Sequence, residues 1–266
     1  MGSLTKRYTD EAIGFIKKHK DEPFFVYLPH TMPHTRLAAS EQFKGKSPRG
    51  LYGDVIEEID FSVGRIVEAV KELKLEDKTW IIYTSDNGPW LIKNKGFVDG
   101  ELPPHHGGSA GSLRSGKVST WEGGVRVPAI VWAPGRVPAG TVCQSLATTM
   151  DLLPTFAQLA GAKAPSDRVI DGKSLLPLLE GREGAKSPHQ AFFYRTEAVR
   201  SGKWKLKRKD LYNLEEDIGE TKNLAADNPE IVKRLSGYLA AYKEDLAKNM
   251  RPAGGPPKQP RKKKNK

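Results

Sequence analysis

A chain of 266 residues, 38% apolar and 28% charged, can bury one large core or two modest ones, which excludes a disordered protein. No apolar run approaches the roughly 20 residues of a membrane-spanning helix, and the single cysteine, Cys143, excludes a disulfide framework and a cysteine-based zinc cluster. The net charge of +11 is unevenly placed: seven Lys or Arg and no acid lie between Arg251 and Lys266, so the other 250 residues carry only +4. That Pro- and Gly-rich end, taken as residues 249–266, reads as a disordered basic tail, a solvated run rather than a nucleic-acid arm.

Met1-Gly2-Ser3-Leu4 has no apolar segment of the kind a secretory leader needs, and helical spacing begins almost at once at Ala12, Ile13, Phe15 and Ile16. The chain reads as entering its fold partway through. Pro23 to Leu28 is a continuous apolar run, expected as a strand buried on both faces, and is followed by a loop with His30, Pro33 and His34. From Asp54, residues Ile56, Ile59, Val63, Ile66, Val70 and Leu73 recur at spacings of 3, 4, 3, 4 and 3, one apolar helical stripe. Trp80 to Thr84 is a second apolar strand, ending at Ser85-Asp86-Asn87-Gly88. Strand, helix, strand at these lengths predicts a βαβ crossover, hence a mostly parallel sheet with flanking helices.

Residues 89–127 form a long glycine-rich stretch, of the sort that is functional or disordered when it occurs in a compact domain. Pro128 to Pro134 restores a strand, and Asp151 to Ala160 reads as a helix closed by Gly161. Beyond about Ser187 the pattern becomes antiparallel. Phe192-Phe193-Tyr194, then Ala198-Val199-Arg200 and Lys203 to Lys207 around Ser201-Gly202, predict a hairpin; Leu211 to Leu214 adds a short strand and residues 229–246 a helix. The expected organisation is an α/β domain over 1–186, a small α+β subdomain over 187–248, and the tail.

Ligands of open parallel sheets bind at the carboxyl ends of strands. His34, Asp86, Asn87 and Lys117 fall at or beside those ends. Asp86 and Asn87 offer hard oxygen donors suited to Ca²⁺ or Mg²⁺; the His34 imidazole suits proton transfer or anion contact; Lys117 can meet an anion as a point charge. Each also has a plainer account when read singly: a strand-ending turn for Asp86-Asn87-Gly88, a packed loop histidine, a solvated lysine.

The ordered segments Pro23-Phe-Phe-Val-Tyr-Leu-Pro-His-Thr-Met-Pro-His34, Tyr83-Thr-Ser-Asp-Asn-Gly-Pro89, Leu113-Arg-Ser-Gly-Lys-Val-Ser-Thr-Trp-Glu-Gly-Gly-Val-Arg-Val-Pro128 and Met150-Asp-Leu-Leu-Pro-Thr155 resemble the second half of the type I sulfatases, the arylsulfatase A-like group above all. Ala198 to Lys205 and Leu211 to Asn223 resemble that family's terminal subdomain, so the likeness spans about residues 8–245. It implies an alkaline-phosphatase-like α/β fold and hydrolysis of sulfate esters, of aryl compounds or carbohydrates, with one Ca²⁺ ion and a formylglycine nucleophile made from the Cys or Ser of Cys-x-Pro-x-Arg. It further implies Asp86 and Asn87 as Ca²⁺ ligands. His34 would contact sulfate and protonate the departing alcohol, and Lys117 would hold a sulfate oxygen. Family habit points to the periplasm or the extracellular space, with no membrane span.

The chain departs from that pattern. It contains no Cys-x-Pro-x-Arg or Ser-x-Pro-x-Arg, and the family's Asp-Asp metal pair and its Lys/His segment are missing as well. Cys143, in Thr-Val-Cys-Gln-Ser-Leu, reads as a small, partly buried hydrophobe. Covalent catalysis without its nucleophile is lost almost entirely, so the 266-residue chain by itself is expected to be inactive. A phosphate or phosphonate ester hydrolase of the same superfamily and a non-catalytic binding remnant are the competing readings, and Lys203 to Lys209 suit either ester anion. His105, His106 and Arg114 read as solvated loop residues.

Overall fold

The computed structural model describes residues 1–91 and 107–250. Helix α1 (Leu4–Lys18), with Ala12 and Ile16 buried, lies against α2 (Gly50–Glu72), in which Val55, Ile59, Ala69 and Val70 are buried, Val55 and Ile59 in a cluster with Met32 and Ala39. Helix α2 begins a turn before the expected Asp54, and its buried face is rotated from the predicted stripe: Ile56 is exposed, whereas Asp54, Glu58 and Ser62 are buried. The reason is polar. The Asp54 carboxylate accepts the backbone N–H groups of Gly45, Lys46 and Ser47 at 2.8, 3.1 and 2.8 Å, and Glu58 accepts that of Ser40 at 2.8 Å. Two helix acids therefore organise the incoming loop, since buried backbone donors need partners.

Strands β1 (Ile81–Thr84) and β2 (Ala129–Trp132) pair antiparallel, with Ile81 opposite Trp132 and Thr84 opposite Ala129. The parallel crossover expected here is not formed among the described residues. Residues 24–28 carry no strand; they run alternately half-buried and exposed, with Phe25 65% and Tyr27 79% exposed. Apolar composition along this segment is thus not burial on both faces. Even the exposed Phe25 keeps one ring contact, with Phe156 at 5.4 Å between centroids.

The short α3 (Glu122–Val125) precedes β2, and α4 (Leu152–Leu159) and α5 (Leu176–Leu179) follow it. Helix α4 ends as expected at Gly161, whose φ of +69° is the left-handed conformation that closes a helix. Ahead of α4, Asp151 is fully buried; its carboxylate accepts the N–H groups of Thr148 and Lys173 and meets the His189 Nε2–H at 2.7 Å.

The chain's last third is a four-stranded antiparallel meander, β3 (Phe192–Tyr194), β4 (Ala198–Ser201), β5 (Trp204–Lys207) and β6 (Asp210–Asn213), in which the expected hairpin is flanked by a strand on each side. Gly202, at φ +56°, makes the predicted Ser-Gly turn, with Ser201 opposite Trp204. Val199, Leu206 and Leu211 on one sheet face meet Leu235 of α6 (Pro229–Asn249) in a core cluster. The other face carries Lys205 and Lys207, both buried. A sheet with lysines on a covered face needs an ionic partner behind it.

Candidate active site

The partner is the glycine-rich stretch around α3, which doubles back on itself: the Gly123 N–H donates to the Arg114 carbonyl at 2.9 Å. Two further backbone bonds stitch this loop to the end of β1. Lys117 N–H donates to Pro89 O at 2.8 Å, and Gly88 N–H to Gly124 O at 3.1 Å. The candidate cation turn, Asp86-Asn87-Gly88, and the candidate anion lysine are in this way held in one register. Only glycine permits it: a Cβ on Gly88 would stand 1.8 Å from the Gly123 carbonyl oxygen, and one on Gly123 would stand 2.2 Å from Ser115 O. Gly88→Ala is expected to part the two loops. Hydrogen exchange at the amides of residues 88 and 117 should accelerate, with α1 and α2 unaffected; unchanged protection would show that the turn tolerates a side chain.

Lys117 is half-buried and flanked by two residues in the left-handed region, Ser115 (φ +64°) and Val118 (φ +67°). For β-branched Val118 that conformation is strained, and such strain persists only where surroundings over-determine it. Asp86 is exposed and Asn87 half-buried at the tip of β1. His34 sits on a separate loop, exposed, its Nδ1–H donating to the Thr35 carbonyl at 2.7 Å. That bond leaves Nε2 as the nitrogen able to exchange a proton. Met32, two residues earlier, shares a core cluster with Ala39, Val55 and Ile59, against which Tyr83 of β1 also packs. The His34 loop and the Asp86 turn therefore rest on a common base.

No three His, Cys, Asp or Glu side chains cluster for a metal among the described residues. The donors present, one carboxylate and one amide oxygen, suit a hard cation in kind; alone they fall short of the roughly six to eight oxygens of a Ca²⁺ shell. Cys143 is exposed, against the expectation of partial burial, because residues 141–145 run along the surface. His105 and His106 lie outside the described residues, as do residues 251–266. Arg114 is exposed, yet it is engaged: its guanidinium lies 3.7 Å over the Trp121 ring and donates to the Glu220 carbonyl at 2.6 Å.

Behind the loop lies a buried ionic cluster that sequence reasoning missed. The Lys205 ammonium sits 2.9 Å from Glu122 Oε1 and 2.7 Å from Glu220 Oε1, with all three residues no more than 1% exposed. Tyr194 donates its hydroxyl proton to Glu122 Oε1 at 2.6 Å, and the Glu122 N–H donates to Glu220 Oε2 at 2.8 Å. Burial alone would raise the Glu122 pKa, but Lys205, the Tyr194 hydroxyl and Arg200 outweigh it and hold the carboxyl below its usual range. Burial beside that carboxylate pushes the Tyr194 phenol well above its ordinary value. One signal was available. Lys203, Lys205 and Lys207 alternate with Trp204 and Leu206, so a sheet covered on its Leu206 face by a helix turns two lysines toward whatever covers the other.

The sulfatase family model matches residues 1–162, and the model for the C-terminal part of N-sulphoglucosamine sulphohydrolase matches 116–245. Human steryl-sulfatase is 43% identical over 194 residues, covering 72% of this chain and 32% of that protein. Dog N-acetylgalactosamine-6-sulfatase is 43% identical over 208 residues, covering 76% of this chain and 38% of its own length. The chain therefore spans about a third of these relatives. Among solved structures, a Bacteroides thetaiotaomicron chain described under the metabolism of multiple glycosaminoglycans superposes with a TM-score of 0.77 at 29% identity, over 91% of this chain and 55% of that one. Ps i-CgsB in complex with k-i-k-neocarrahexaose gives 0.75 at 30% identity, over 94% and 56%.

Proposed function

From the premise that this chain belongs to the sulfatase family, whose members are sulfuric ester hydrolases, we propose that it forms the half of a sulfatase that grips the sulfate group and releases the alcohol. Asp86 and Asn87 would hold a Ca²⁺ ion, and Lys117 would pair with a sulfate oxygen. When bound, the cation would offset sulfate charge and polarise the S–O bond. His34, with Nδ1 committed to the Thr35 carbonyl, would deliver a proton from Nε2 to the oxygen of the departing alcohol as the bond to sulfur breaks. The nucleophile does not come from these residues: no Cys-x-Pro-x-Arg or Ser-x-Pro-x-Arg occurs in the chain, and a formylglycine would have to be supplied by other polypeptide. Inactivity of the 266 residues alone follows from that absence.

The observation that supports this reading is the backbone stitch between Lys117 and Pro89 and between Gly88 and Gly124, which ties the Asp86-Asn87 turn to the loop carrying Lys117. Sulfated carbohydrate is the preferred substrate class, given the N-acetylgalactosamine-6-sulfatase relatives and the neocarrahexaose complex. Among the described residues no helix is long and apolar enough to cross a membrane, and an exported enzyme acting on glycans in the periplasm or outside the cell suits that substrate. The test is hydrolysis by the product of the full reading frame that contains this chain, with 6-sulfated N-acetylgalactosamine, an aryl sulfate and an aryl phosphate assayed in parallel. Calcium-dependent release of sulfate, fastest from the sugar, is the expected result. Faster phosphate release, or no sulfate release from either ester, would overturn the proposal.

A further inference from the structure

The buried cluster behind the site has no place in the chemistry proposed above, and its position gives it one. Lys205, Tyr194, Glu220, Glu197 and Lys207 of the C-terminal part all make polar links to the loop that carries Lys117. Besides the Glu122, Glu220 and Tyr194 bonds, Thr120 donates to Glu197 at 2.9 Å, the Lys207 ammonium meets both Thr120 and Glu197, and Trp121 packs edge-on against Tyr212 at 5.7 Å. The links fall on Thr120, Trp121 and Glu122, three consecutive residues between Lys117 and the Gly123-Gly124 pair that receives Gly88. A loop of this length, rich in glycine, has little packing of its own to fix it.

We propose that Lys205 is a positioning residue: held between Glu122 and Glu220, it clamps the Arg114–Arg126 loop onto β5 and so sets Lys117 and the Asp86-Asn87 turn in their working register. The role of Lys117 and Asp86 rests on the function proposed above; the clamp itself does not. Lys205 touches neither substrate nor cation. Its ammonium compensates two carboxylates from segments 98 residues apart, Glu122 ahead of β2 and Glu220 after β6, which no single strand or helix could bring together. The C-terminal subdomain is thereby a structural input to the site rather than an appendage.

Amide hydrogen exchange on the 266-residue chain tests the clamp without needing turnover. In Lys205→Met, exchange at Gly88, Lys117 and Gly123 should accelerate roughly 100-fold or more, as expected when a buried pair loses one partner, while the Ile59 and Val70 amides of α2 keep their protection. Should Lys205→Met fail to fold, Tyr194→Phe removes one link and Thr120→Val the two that its hydroxyl makes, and each should loosen the same three amides by smaller factors. Protection at Gly88 and Lys117 unchanged in both mild variants would overturn the proposal. In the product of the full reading frame, Tyr194→Phe should lower kcat by about tenfold to a hundredfold with KM little altered, the signature of a misplaced catalytic group. A change in KM alone, with the exchange result as expected, would leave the clamp standing and refute the site assignment it serves.

Discussion

Glu122→Ala should destabilise the chain by about 3–5 kcal/mol, because it strands the Lys205 ammonium in the interior with half its compensation gone. The Glu122 carboxylate accepts from Lys205 and Tyr194 and faces Arg200 at 3.5 Å, so its removal leaves three donors short of a partner rather than one. A denaturant titration at neutral pH should show the midpoint fall with the slope preserved, since the same surface is exposed on unfolding. The wild type should show the same dependence through pH. Glu122 is held below the usual carboxylate range, so its contribution is complete above that range and is lost as pH falls from there through the lower value of the folded state. Burial similarly lowers the pKa of His30, so the unfolded chain binds its proton first and stability starts to fall already below the ordinary imidazole range. Glu122→Gln should flatten the more acidic limb and leave the one nearer neutrality in place. An unfolding free energy for Glu122→Ala within about 0.5 kcal/mol of wild type, the range of ordinary surface changes, would mean the cluster is not the anchor described.

His34→Asn and Lys117→Ala, made in the product of the full reading frame, carry the second large effect. Removing a positioned general acid lowers turnover by roughly 10²–10⁴-fold, and His34→Asn should do so most for esters of poorly acidic alcohols such as sugars. An aryl sulfate, whose phenolate leaves without help, should be far less affected. That contrast separates proton delivery from simple damage to the loop, because a misfolded loop would penalise both substrates alike. Lys117→Ala should lower turnover of both esters, as expected for a cation that neutralises sulfate charge in the transition state. Equal losses on sugar and aryl sulfate for His34→Asn would remove the acid role from that residue.

The site and the fold were legible in the sequence to different depths. Local chemistry was readable: Gly161 and Gly202 end a helix and turn a hairpin as their neighbours predict, because a left-handed φ is a property of the residue itself. The order of motifs likewise carried the family, which the matched models and relatives bear out. What failed was inference about faces and partners. The apolar run at 24–28 suggested a doubly covered strand, yet Phe25 and Tyr27 are exposed, since composition does not say which neighbour a strand finds. Likewise β1 and β2 pair antiparallel, an orientation that two short apolar strands do not specify by their own sequences.

By itself, then, the sequence determined the positions and spacing of the oxygen donors, the histidine and the lysine, together with the absence of the family's nucleophile motif. Tertiary structure alone decided that Lys117 is stitched to Pro89, and that Lys205, an unremarkable lysine in a basic hairpin, is fully buried between two glutamates. The physical reason is one of range. Helix spacing, turn conformation and motif order act over a few neighbouring residues, whereas a buried charge is stable only against partners the whole fold delivers, here from Glu122 and Glu220.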